Sequence, residues 1–133
     1  MRAVNSLPLP LRWLPALVVM GLIFFLSSLP ADVLPDYGPL DLLVKKGGHA
    51  IGYALLASSY FYALPPRLSA GYKALLALLM AVLFALSDEF HQSFVQGRTS
   101  SLRDVAIDTM GAVVGLGVAR VFYSSNSSSN STR

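Results

Sequence analysis

Four apolar runs, residues 11–29, 48–64, 72–90 and 105–123, dominate the chain and limit what it can fold into. Crossing about 30 Å of hydrocarbon as a helix takes about 20 predominantly apolar residues, and each run comes near that length. Hydrophobic residues make up 54% of the sequence and charged residues 13%, roughly half the charged share of an ordinary soluble domain, about 25%. The bilayer is therefore the expected solvent. The sequence predicts an all-α integral membrane protein with a compact bundle of four transmembrane helices in residues 11–123. A cytoplasmic segment, residues 1–10, precedes it. A Ser/Asn-rich tail, residues 124–133, follows it and is too polar to bury a core, so it is expected to be disordered.

The first run has some features of a cleaved signal, with Arg2 and Arg12 ahead of it and Pro30-Ala31 behind. Leu29 stands where a small residue would be needed for cleavage, so the run is read as a span. The absence of cysteine excludes disulfides, thiolate zinc sites and cysteine nucleophiles. The ten Lys and Arg residues are scattered between apolar runs and form no basic face, which argues against nucleic acid as a partner.

Those cations instead bear on orientation. With four spans both termini share one side, and an N-in, C-in arrangement puts Arg2, Arg12, Arg67, Lys73, Arg120 and Arg133 inside. Lys45, Lys46, Arg98 and Arg103 then lie outside, so the bias follows the positive-inside rule. Trp13, Tyr62, Tyr72 and Tyr123 fall at the inner ends of their spans, as an aromatic belt requires. A bacterial cytoplasmic membrane is the expected location. Small residues four apart, Gly48 with Gly52, Gly111 with Gly115, and Ala77, Ala81 and Ala85, predict close helix packing.

Against this background the polar residues converge on the outer end. Lys46, His49 and Tyr53 share one face of the second span, and Asp104 and Asp108 share one face of the fourth with Gly111 and Gly115, so two polar stripes are placed to meet. Asp88, Glu89, His91 and Gln92 leave the third span. Carboxylates at a helix C-terminus oppose its dipole, so Asp88 and Glu89 are expected to take cationic partners, with Arg98 and Lys46 available, or to have a raised pKa. A Glu89–Arg98 pair follows from this. Asp108, one turn inside the fourth span, marks a functional or tightly paired site. Lys45-Lys46-Gly47-Gly48 is read as the entry to the second helix, where free N–H groups and lysine charge form an anion site. Ser101-Leu102-Arg103-Asp104 fits a capping box. Lys45 and Arg103 are expected to be solvated interface charges. No His-Glu-x-x-His pattern or regular ligand spacing is present, so neither a metal site nor a cofactor is predicted.

Lys46-x-x-His49-x-x-x-Tyr53-x-x-Leu56, then Ser87-Asp88-Glu89-x-x-Gln92 with Arg98 and Asp104, then Gly111 and Gly115, together resemble the VanZ-like membrane proteins. The resemblance covers residues 45–115 and is most specific from Ser87 to Arg98. It implies a small multi-span protein of the bacterial cell envelope, in a family with members that raise teicoplanin resistance. It carries Lys46, His49, Tyr53, Asp88, Glu89, Gln92, Arg98 and Asp104 over as a polar signature without catalytic roles. Two positions depart from the family pattern: Lys45, often acidic there, and Asp108, often Asn.

The first function expected is an envelope factor whose polar cluster, Asp108 included, binds an anionic or lipid-linked ligand or a lipoglycopeptide. Membrane lipids surround it. The alternative is an intramembrane lipid or prenyl-phosphate hydrolase, with Glu89 or His49 as general base and Arg98 stabilising charge. The lack of a nucleophile constellation favours the non-enzymatic reading.

Overall fold

The computed structural model describes residues 7–128 and is all-helical there, with no strand among the described residues. Its helices are α1 (Leu9–Ser27), α2 (Asp41–Ala63), α3 (Ala70–Gln92) and α4 (Leu102–Ser128), with a short 3₁₀ turn (Gly38–Leu40) ahead of α2. Arg2, Arg133 and the chain ends beyond residues 7 and 128 lie outside the described residues. Three helices, α1, α3 and α4, are long and apolar enough to cross a membrane. The second, α2, is as long as α3 but carries Asp41, Lys45 and Lys46 in its first two turns, and glycines and hydroxyls further along.

The helix ends follow from local chemistry. Pro10 sits in the first turn of α1, where its missing N–H is not needed, while Pro15 lies inside that helix and removes one ladder bond. Ser69 caps α3 by accepting from the Tyr72 N–H at 3.3 Å. Leu64 precedes Pro65 and is extended, which stops α2 at Ala63.

Two boundaries differ from the sequence expectation. Residues 45–48 are not the entry to the second helix: α2 begins at Asp41, so Gly47 and Gly48 are mid-helix, with their amides in the helical ladder. The predicted helix N-terminal anion site is absent for that reason. Asp41 and Lys45 pair at 2.8 Å across one turn, and the Lys45 ammonium holds the Asp41 carboxyl below the usual carboxylate range. Lys45 is thus paired rather than only solvated. At the other end of the chain α4 runs to Ser128, five residues into the stretch expected to be disordered. A helix already formed extends at low entropic cost, and the Ser125 hydroxyl bonds back to the Val121 carbonyl at 2.9 Å.

Side-chain pairings set the arrangement. Ser27, the last residue of α1, meets Asp88 and Gln92 at the end of α3, while Lys46 near the start of α2 meets Asp104 near the start of α4. So α1 runs parallel to α3, α2 runs parallel to α4, and these two pairs are antiparallel. Helix α2 touches all three others and packs most extensively on α4.

That α2–α4 contact is made by backbone. A Cβ on Gly111 would lie 2.8 Å from Ala50 Cα, and one on Gly115 2.7 Å from Ala54 Cα. Ala50 and Ala54, not Gly48 and Gly52, are therefore the partners of the α4 glycines: Gly48 has open space around it and Gly52 faces Ile23. Further in, Ser58 donates to the Gly115 carbonyl at 3.2 Å and Tyr62 to the Ala119 carbonyl at 3.2 Å. Ala77, Ala81 and Ala85 are all buried, as their spacing predicts.

At the end opposite the Lys46–Asp104 pair, Arg12 donates to the Tyr62 and Leu64 carbonyls at 3.3 and 3.1 Å. The Lys73 ammonium lies over the Phe61 and Tyr123 rings, 4.6 and 4.9 Å from their centroids.

A methyl group at the helix contact has nowhere to go, so Gly111→Ala or Gly115→Ala should destabilise the protein by about 1–3 kcal/mol, the usual penalty of overpacking. Gly117→Ala, with nothing within 4 Å, should be neutral or slightly stabilising. Melting temperatures in detergent check the contrast.

Candidate functional site

The predicted polar residues do come together at one end of the bundle, where α1 and α3 finish and α2 and α4 begin. The two stripes expected to meet across the second and fourth helices do so. Lys46 pairs with Asp104, and one turn inward His49 Nδ1 lies 3.7 Å from Asp108 Oδ1. Half of the predicted capping box forms: the Asp104 N–H donates to Ser101 Oγ at 3.3 Å, while Asp104 Oδ2 accepts the Ser101 hydroxyl at 3.0 Å rather than the Ser101 N–H, which goes to Glu89. Asp104 thus both bonds to its capping serine and pairs with Lys46.

The carboxylates of α3 find different partners from those expected. Asp88 Oδ2 accepts from the Ser27 hydroxyl at 2.7 Å and from the Gln92 amide at 3.1 Å. Glu89 Oε2 accepts the Ser101 backbone N–H at 2.9 Å, which satisfies one of the unbonded donors at the start of α4. No Glu89–Arg98 ion pair forms. Arg98 instead donates to Gln92 Oε1 at 3.0 Å, so Gln92 links Arg98 to Asp88 and Ser27. Neutral donors replace the cations that the helix dipole seemed to require.

Two further elements hold this end together. The His91 ring stacks on Phe24, with centroids 4.3 Å apart, and its Nε2 lies 3.0 Å from Ser28 Oγ. Above them the Ala31 N–H donates to the Gln96 carbonyl at 3.2 Å, joining the α1–α2 loop to the α3–α4 loop. Gly97 has φ +73° there and a Cβ on it would meet Ala31 Cβ at 3.0 Å, so both conformation and space call for glycine.

Sequence reading missed Ser27, Ser28 and the Ser101 amide. A pair of serines at the very end of an apolar run was the available signal.

The centre of the cluster is buried and under-satisfied. Tyr53, Asp88 and Asp108 are only 1%, 2% and 1% exposed. Tyr53 Oη, Asp88 Oδ1 and both Asp108 carboxylate oxygens have no hydrogen-bond partner among the described residues. Buried polar atoms are nearly always paired, so four such atoms from α2, α3 and α4 at one end of the bundle are a departure that calls for a ligand, a proton or water. Among the described residues no group of three or more acidic or histidine side chains is placed to hold a metal ion.

A family model described as VanZ/LLP1 matches residues 12–123. The chain belongs to the VanZ/LLP1 family. The matched region takes in the whole polar cluster and, beyond the motif residues 45–115, nearly all of α1 and most of α4. Ser27 and Arg12 therefore belong to the VanZ/LLP1 domain as much as the signature residues do. Comparisons with curated proteins and with solved structures returned no match.

Ser27→Ala removes a donor from Asp88 and an acceptor from Gln92 in a buried site, and should lower stability by about 1–3 kcal/mol. Ser28→Ala, which is less buried, should have a smaller effect. Thermal unfolding in detergent distinguishes them.

Proposed function

We propose that this VanZ/LLP1 protein is a four-span, N-in, C-in protein of the bacterial cytoplasmic membrane, with α2 as the remaining span and the polar cluster facing outward. The buried cations Arg12 and Lys73, with Trp13, Tyr62 and Tyr123 at the same end, support the inward assignment of that end. We further propose that the cluster binds an anionic or lipid-linked ligand, or a lipoglycopeptide, and thereby lowers susceptibility to teicoplanin-type glycopeptides.

One observation carries the binding proposal: the four unpartnered buried oxygens of Tyr53, Asp88 and Asp108. Carboxylate oxygens accept hydrogen bonds, so they suit hydroxyl, amide or ammonium donors on a ligand. Arg98 has five N–H donors, and its bond to Gln92 leaves others for an anionic group. A headgroup or glycopeptide carrying both kinds of group matches this pairing of Arg98 with the acid centre. Lys46, expected to share in holding an anion, is committed to Asp104. The hydrolase alternative gains nothing from the geometry, because the Glu89 carboxylate is engaged as a cap on α4.

Topology is directly testable because the chain has no cysteine. A cysteine at Asp36, in the α1–α2 loop, should react with an impermeant thiol reagent from outside, and one at Arg67 only after the membrane is opened. The reverse pattern would invert the orientation.

For function, the chain is expressed in a glycopeptide-sensitive Gram-positive host and inhibitory concentrations of teicoplanin and vancomycin are measured. A rise confined to teicoplanin is expected, and it should vanish in Arg98→Ala and Asp108→Asn at equal membrane level. An unchanged teicoplanin value at verified expression would remove the resistance role.

A further inference from the structure

On the side of the α2–α4 contact away from α1 and α3 is an open, almost wholly apolar groove of about 360 Å³. Its floor is the close approach of Gly111 to Ala50, and its walls are Ile51 and Ala54 from α2 and Ile107, Met110 and Val114 from α4. Two helical stripes define it. On α4 Arg103, Ile107, Met110 and Val114 are spaced i, i+4, i+7, i+11, and on α2 Gly47, Ile51 and Ala54 are spaced i, i+4, i+7, so each set shares one face. The lining ends at Ile51 and Ile107, and one helical turn further toward the outer end the same two faces carry Gly47 and Arg103. Nothing lies within 4 Å of where a Gly47 Cβ would stand, so this end forms an open mouth.

Charge at the mouth is unbalanced. Of the four cations at this end, Lys45 pairs with Asp41, Lys46 with Asp104, and Arg98 bonds to Gln92. Arg103 is exposed and has no ion-pair or hydrogen-bond partner among the described residues. A single unpaired cation thus stands beyond the outer end of the apolar groove.

We infer that the α2–α4 groove is a binding site for an anionic phospholipid, with one acyl chain lying along Ile51, Ile107, Met110 and Val114 and the headgroup phosphate on Arg103. The inference rests on the four-span reading proposed above, which puts the groove in contact with lipid and its mouth at the outer headgroup level. A guanidinium binds a phosphate through paired N–H donors, and an acyl chain fills a groove that otherwise leaves the glycine backbone thinly covered. None of the residues lining the groove belongs to the polar cluster. A lipid seated there would therefore not occupy the same atoms as the ligand proposed for the cluster.

The test is native mass spectrometry of the full chain in detergent with phosphatidylglycerol or phosphatidylcholine of identical acyl chains. Wild type should retain phosphatidylglycerol preferentially. Arg103→Gln should lose that preference, by about fivefold for one cation near an anionic headgroup. Met110→Trp, which fills an exposed groove position without touching the helix contact, should reduce retention of both lipids, with unchanged melting temperatures confirming that both variants fold. Equal retention of the two lipids by wild type, or a preference that survives Arg103→Gln, overturns the site. A dimer lost only in Met110→Trp would assign the groove to a second copy and would also overturn it. Cysteine labelling at Asp36 and Arg67 reports topology independently, so expected labelling without lipid selectivity would reject this site alone.

Discussion

The backbone contact between α2 and α4 governs the rest of the structure. Where Gly111 and Gly115 lie against Ala50 and Ala54, the two helices are held too close for any side chain to intervene. That closeness sets the register in which Lys46 meets Asp104 and His49 approaches Asp108 a turn further in. Within a bilayer the hydrophobic effect gives little drive to join helices, so such contacts depend on shape and on shared hydrogen bonds. The Ser58 and Tyr62 hydroxyls add such bonds along the same seam by donating to α4 carbonyls. A polar cluster in a membrane bundle needs a scaffold of this stiffness, because each charged group has few alternative partners if the helices slip.

The chemistry of the polar end of the bundle is built mainly on neutral donors. Three of the four carboxylates of the polar cluster, Asp88, Glu89 and Asp104, accept at least one bond from a hydroxyl, an amide or a backbone N–H. Asp108 is the exception: it accepts no hydrogen bond among the described residues, and the His49 ring nitrogen stands 3.7 Å away. Gln92 is the hub, receiving Arg98 on its carbonyl oxygen while its NH₂ reaches Asp88 and Ser27. Through that one side chain the loop after α3 is connected to the end of α1. The cluster is accordingly a network whose members were drawn from all four helices, and its unspent capacity is concentrated at Asp108, Asp88 and Tyr53.

Much of this was legible beforehand, and the failures are instructive. The meeting of the Lys46/His49 stripe with the Asp104/Asp108 stripe followed from helical spacing alone, as did the Ser101–Asp104 cap. The start of α2 did not, because a hydropathy window takes Asp41, Lys45 and Lys46 as a break, whereas in the fold Asp41 and Lys45 are paired across a helical turn. The glycines of α4 were identified as a packing face, but their partners are alanines. A glycine needs only a flat surface opposite it, and alanine supplies one without advertising itself as glycine does. The Glu89–Arg98 pair was a reasonable electrostatic expectation that took no account of the loop between them. That loop delivers the Ser101 N–H to Glu89 and turns Arg98 toward Gln92.

The bond from Arg12 to the end of α2 has a bearing on how such a protein is made. The carbonyls of Tyr62 and Leu64 lie at the C-terminal edge of α2, where the helix dipole is negative and intrahelical donors have run out. Their donor is carried by the first turn of α1, which leaves the ribosome about fifty residues earlier than the atoms it serves. The one long helix that falls short of a span by composition is thus completed by a group made before it, so its last carbonyls have a donor as soon as they are in place.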